Sequence, residues 1–188
     1  MRIFIDPGHG GLDPGASVNG LIEKDIVLEI SLRLAGRLKN LGHLVKISRA
    51  TDFFLDLSTR AQAANEWLAD AFVSVHLNAD ADEDGPGMPE AKGYEFWIYP
   101  GSAQGRKLAG RINDSVALAF PDRRARGIKE ANFAVLRLTK MPAVLLELAF
   151  IDTVESQRLK DAEVQELLAA AVAKGVHLYS TDLFQGVV

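Results

Sequence analysis

Four residues of this 188-residue chain combine types and positions that could do chemistry. His9 stands in a glycine-rich turn, "IDPGHGGLDPGAS", directly after a short apolar run. Glu23 opens a long amphipathic stretch in "GLIEKDIV". His76 ends the apolar run "AFVSVH", and Glu147 interrupts another, "AVLLELAF". Two histidines and one carboxylate with an open position are a catalytic zinc composition. A second carboxylate nearby can act as a base on water. Each residue also has a plainer reading: a polar turn residue, a satisfied core histidine, or a first-turn Glu favoured by the helix dipole. Glu147 resists the plain reading most. An ionised Glu among Val144, Leu145, Leu146, Leu148 and Phe150 is costly to bury without a partner, and an arginine is its alternative partner. Spacing alone leaves these roles open.

The elements that must position these residues alternate strand and helix. Strands are expected at "RIFID", "HLVKIS", "AFVSVH", "GYEFWIYP", "FAVLRL" and "AVLLELAF". Helices are expected over residues 24–41, over "LSTRAQAANEWLA" with Ser58 as its cap, over "AQGRKLAGRINDSVALAF", and over "DAEVQELLAAAVAKGVHLYS". The alternation predicts an α/β fold: one domain spanning 1–188, with a twisted, mainly parallel sheet of about six strands flanked by helices. The segment 179–188 is expected to be a loosely ordered tail. Function in such folds gathers at the carboxyl ends of strands, where His9 and His76 fall.

Composition narrows the classes. There is no cysteine, so a transition metal must use His, Asp and Glu. A net charge of −4 argues against a general nucleic-acid binder. No apolar run is long enough to span a bilayer. Met1-Arg2 runs straight into strand-like sequence, without the pattern of a secretory signal. A mature or excised domain, or another export route, is therefore expected. Charge is uneven: residues 51–100 hold ten acidic and two basic side chains, residues 101–140 three and nine. Two motifs are decoys. "GGLDPGAS" has P-loop spacing but Ala16 where the phosphate-binding Lys belongs. "DADEDG" at 80–85 copies the start of a calcium loop, yet Ala91 holds the place of its bidentate Glu. An acidic surface loop is the preferred reading there.

Four stretches in order, "IFIDPGHGGLDPGA", "EKDIVLEI", "SVHLNA" and "MPAVLLELAFI", carry a family pattern. "SRATDFFLDLSTRAQAAN" and "RGIKEANFAVLRLTKMPA" support it. The chain resembles the catalytic domain of zinc-dependent N-acetylmuramoyl-L-alanine amidases across residues 2–160. The resemblance implies that His9, Glu23 and His76 hold one Zn²⁺ and that Glu147 is the catalytic carboxylate. It implies peptidoglycan as partner, action at the bacterial cell wall, and hydrolysis of the amide between N-acetylmuramic acid and L-alanine. A monomer with no nucleic-acid or membrane partner is expected. Regulated members carry a long insertion whose helix occludes the zinc. Here "WIYPGSAQGRKLAG" passes directly from strand to helix, as expected of an unregulated form: endolysin-like, sporulation-like, or a domain controlled elsewhere. Asp6 or a backbone carbonyl is expected to orient a ligand histidine. Arg123, Arg124, Arg126 and Lys129, expected in a loop, are candidates to meet the carboxylates of the stem peptide. Two other functions share these features: a non-catalytic peptidoglycan-binding module, and a zinc peptidase cutting within the stem.

Overall fold

A computed structural model describes residues 1–79 and 92–186. The stretch 80–85, read from the sequence as an acidic surface loop in preference to a calcium loop, lies outside the described residues. The chain order is β1 (Arg2–Pro7), β2 (Ser17–Val18), β3 (Leu21–Ile22), α1 (Glu23–Asn40), β4 (Leu44–Ile47), α2 (Leu57–Glu66), β5 (Ala71–Asn78), β6 (Tyr94–Ile98), α3 (Ala103–Ala119), β7 (Ala125–Glu130), α4 (Ala134–Leu138), β8 (Ala143–Phe150) and α5 (Ala162–Phe184). Six strands form one sheet in the order β4-β1-β5-β8-β6-β7. The pairs from β4 through β8 are parallel. β6 turns antiparallel to β8, and β7 follows β6 in parallel. The α/β architecture with a mainly parallel six-stranded sheet is as the sequence predicts.

The two faces of the sheet are covered unequally, and this exposes the site. Ile3, Ile5, Val73, Val75, Val144, Leu146 and Phe96 point to one face and pack under α1, α3 and α5 in the main core. Burying side chains of this kind is worth about 1.5–3 kcal/mol each. The opposite face carries a smaller cluster, with Phe4, Phe72, Ala143 and Leu145 packed near Ala64 of α2 and Val135 and Leu136 of α4. Those two helices are short, with 10 and 5 residues. They cap the amino-terminal half of the parallel strands on that face.

Four expectations are revised. "FAVLRL" is helical from Ala134, not a strand; a six-residue apolar run does not distinguish the two by period. Packing against α2 decides it. The sixth strand is instead β7, "ARGIKE", an edge strand whose charged side chains hide it from an apolarity search. Asp56 rather than Ser58 caps α2, accepting from the Thr59 amide at 2.9 Å. Residues 179–184 are not a loose tail: α5 continues to Phe184, with Tyr179 and Ser180 buried. Among the described residues no helix is long and apolar enough to cross a membrane.

Candidate metal centre

Side chains alternate along a strand, so residues two apart share a face. On the thinly covered face this sets up three successive ranks. The first is apolar, with Phe4, Phe72 and Ala143 in register. The second aligns Asp6, Ser74, Leu145 and Trp97. The third, at the carboxyl ends of β5 and β8, aligns His76, Glu147 and Glu95. Polarity therefore rises toward the end of the sheet that α2 and α4 leave free.

His9 and Glu23 come to this rank from outside the sheet. After β1 the chain turns through Gly8 and His9; His9 adopts φ +57°, a left-handed conformation uncommon for a side chain of its size. The β2–β3 hairpin then reverses at Asn19-Gly20, a favoured pair for such turns, and returns the chain to the same spot. There α1 starts with Glu23, whose amide donates to the Ala16 carbonyl at 2.9 Å. The Glu23 side chain is buried and turned into the site. Its Oε1 lies 3.1 Å from His9 Nε2 and 3.1 Å from His76 Nδ1. The Leu77 and Ala16 amides donate to its two oxygens at 3.0 Å each. One ligand atom from each of His9, Glu23 and His76 lies within 4.8 Å of the others.

Two glycines make room for this convergence. A Cβ on Gly8 would sit 2.2 Å from His76 Cε1. One on Gly15 would sit 2.6 Å from Glu23 Oε2 and 2.7 Å from His9 Cδ2. The turn's glycine content thus reflects side chains drawn tightly together.

Several supporting residues were not predicted. Arg49 and Arg60 are 1% and 2% exposed, rare burial for guanidinium groups. Arg60 donates to the carbonyls of Pro7 (2.6 Å) and His9 (2.7 Å), and Arg49 to that of Gly8 (2.6 Å). Together they clamp the backbone that presents His9. Asp6 does not take the histidine-orienting place that the sequence suggests for it. It is tied to Arg60 (2.9 Å), Ser48 (2.7 Å) and Ser74 (3.0 Å). Asp13 takes the orienting place instead, 2.9 Å from His9 Nδ1. Both arginines lie in the stretch "SRATDFFLDLSTRAQAAN", but nothing in its spacing marked them as buried. Glu95 could have been found, because it breaks the apolar strand "YEFWI" as Glu147 breaks its own.

The donor set fits a zinc ion: two imidazole nitrogens and a carboxylate, with no thiolate. Glu147 beside it has a buried Oε2 with no hydrogen-bond partner among the described residues. A buried carboxylate oxygen left unpaired is costly, and such exceptions gather at functional sites.

A match to the N-acetylmuramoyl-L-alanine amidase family model extends over residues 3–177. The chain belongs to the N-acetylmuramoyl-L-alanine amidase family. It is 42% identical over 179 residues to the amidase CwlM of Bacillus licheniformis, covering 94% of this chain and 67% of that protein. It is 43% identical over 182 residues to a sporulation-specific N-acetylmuramoyl-L-alanine amidase of Bacillus subtilis, with the same coverage. The amidase AmiC2 of Nostoc punctiforme superposes with a TM-score of 0.87 at 34% identity, covering 96% of this chain and 97% of that one.

Charge at the site of this amidase gives the metal-free protein a pH window. Burial works against the Glu23 carboxylate, but hydrogen bonds from His76 and His9 outweigh it and hold its pKa far below the ordinary 4.5. Burial also opposes the His9 imidazolium, yet Glu23 and Asp13 raise its pKa above 6.5. Glu147 moves the other way: burial, helped by Glu23 and Glu95, pushes it from 4.5 to about 7. The Glu23 contribution is present above 4.5 and is lost as pH falls through its depressed value. The His9 contribution is full below 6.5 and is lost as pH rises through its raised value. Burial of Glu147 destabilises increasingly from pH 4.5 to about 7, because the unfolded chain ionises first. In chelator, the melting temperature is expected to fall as pH rises from above 4.5 through about 7, and to fall less in Glu147→Gln. A melting temperature that rises over that interval contradicts this balance.

Proposed function

We propose that this chain is a zinc-dependent amidase that cleaves the bond between N-acetylmuramic acid and L-alanine in peptidoglycan, with Glu147 as general base and then general acid. Family membership supports the amidase activity. The observation that carries the finer reading is the buried, unpartnered Glu147 Oε2, one strand from His76 in the same rank.

An amide is a weak electrophile near neutral pH, so both carbonyl and water need activation. When bound by His9, Glu23 and His76, Zn²⁺ supplies a Lewis acid that polarises the carbonyl and acidifies water to a pKa of about 7. Glu23 contributes negative charge to that cradle while the Leu77 and Ala16 amides keep its oxygens oriented. Asp13 fixes the His9 ring through Nδ1 and leaves Nε2 directed at Glu23. Glu147 Oε2, without a hydrogen-bond partner among the described residues, takes the proton of the attacking water and passes it to the departing nitrogen of L-alanine. A pKa near 7 suits both transfers, since the group must accept and then release one proton at neutral pH.

Mass spectrometry of digested muropeptides tests the reaction. A new free amine on L-alanine, lost in the presence of chelator, is the expected product. A new amine on a later stem residue makes the chain a peptidase, and no new amine leaves it a binding module.

A further inference from the structure

Beyond Glu147 the third rank continues into a group that the reaction above does not use. Glu95 on β6 is paired with Glu147 in the sheet and is 2% exposed. Its Oε1 accepts from Asn78 Nδ2 at 3.1 Å. Its Oε2 accepts from two cations of β7, Arg126 Nε at 2.7 Å and Lys129 Nζ at 2.6 Å. These two residues are three apart, so a regular strand would point them to opposite faces. The pairing of β7 with β6 slips between Tyr94 and Phe96, with Gly127 at φ +84° inside the irregularity. The extra residue of the bulge brings both cations to the face of Glu147. Among the four basic residues that the sequence suggested for the stem peptide, the other two are placed differently. Arg123 is paired with Glu155 and donates to the Leu148 carbonyl, and Arg124 is not among the partners of Glu95.

The charges do not close on themselves. Among the described residues, one carboxylate faces two cations, and no second carboxylate pairs with either. The carboxylate is buried, whereas the cation side chains are 26% and 35% exposed. Arg126 is engaged only through Nε, so both terminal nitrogens of its guanidinium donate to no described residue. That free fork matches a carboxylate in bidentate geometry. Its plane is steadied over the Phe150 ring at 4.9 Å, and Lys129 Nζ lies 5.1 Å from the Trp97 ring.

We propose that Arg126 and Lys129, held in place by Glu95 as a positioning residue, form a subsite for a free carboxylate on the stem residue that follows L-alanine. This rests on the amidase reading. Reach supports the assignment: β6 lies one strand spacing from Glu147 and β7 two, about 5 and about 10 Å. One peptide residue spans at most about 3.5 Å, and both cations lean back over β6. The carboxylate of the residue after L-alanine falls within that interval when the scissile amide is at Glu147. A carboxylate farther along the stem overshoots it.

The test uses the zinc-loaded protein and two muropeptides that differ only in whether that carboxyl is free or a primary amide. The wild type is expected to show a kcat/KM about tenfold higher for the free acid, through KM. Arg126→Gln is expected to lower the acid-to-amide ratio about tenfold, Arg126→Lys to restore part of it, and Lys129→Gln to lower it less. If Arg126→Gln does not fold, the Lys129→Gln ratio decides. Equal losses on both substrates, or a wild type that does not distinguish them, overturn the subsite. A wild type that cleaves neither substrate overturns the amidase reading, and the subsite with it.

Discussion

Glu147→Gln should bind zinc as the wild type does and turn over muropeptides about a thousandfold more slowly, within the range attributed to general acid–base catalysis. The substitution keeps the volume and the hydrogen-bonding outline of the side chain but removes its proton acceptor. His9, Glu23 and His76 converge on one another without help from Glu147, so the metal cradle should survive. The fold should survive as well. Burial already pushes Glu147 up to about 7, and a neutral amide there spares the cost of ionising a buried group. The check is metal content alongside single-turnover rates. Equal zinc occupancy with near-native turnover would move the base to another residue. Loss of zinc from the variant would mean instead that Glu147 helps to hold the ion.

Metal removal should have the second large effect. Dialysis against a chelator is expected to abolish hydrolysis, and one equivalent of Zn²⁺ to restore it. Two imidazole nitrogens, His9 Nε2 and His76 Nδ1, crowd around the single oxygen Glu23 Oε1, in space that Gly8 and Gly15 leave open. In the absence of an ion they satisfy one another through proton-sharing contacts, which hold the cradle in shape but leave no Lewis acid. Zinc should also raise the melting temperature, since a ligand at a thousand times its Kd adds about 4 kcal/mol to the folded state. Its affinity should weaken in acid as the imidazoles protonate. Calorimetry and activity measured on the same chelated and reconstituted samples check both effects. Full activity without metal removes the zinc reading altogether.

His9, His76 and Glu147 were legible in the sequence because each contradicts its neighbours, whereas Glu23 stood out through the family pattern. A histidine amid glycines and polar residues in apolar strands ask for an explanation, and the family pattern supplied one. The strands β1, β5 and β8 were legible for a related reason: each is buried on both faces and reads as a continuous apolar run. β7 was not, because an edge strand faces solvent and can carry "ARGIKE" without an apolar signature. α4 was mistaken for a strand because five or six residues hold no period, and its partner α2 lies far away in the chain.

The sequence by itself determined the family, the alternation of strand and helix, and which four side chains stand out. Only the tertiary structure decided which of them share a rank. That depends on strand register, and register is set by packing between segments tens of residues apart. The same long-range pairing buried Arg49 and Arg60 under the His9 turn, tied Asp6 to Ser48, Arg60 and Ser74, and set Glu95 beside Glu147. It also placed the bulge at Gly127, which turns two cations three residues apart toward one carboxylate. No local pattern encodes these outcomes, because each is a property of two segments meeting.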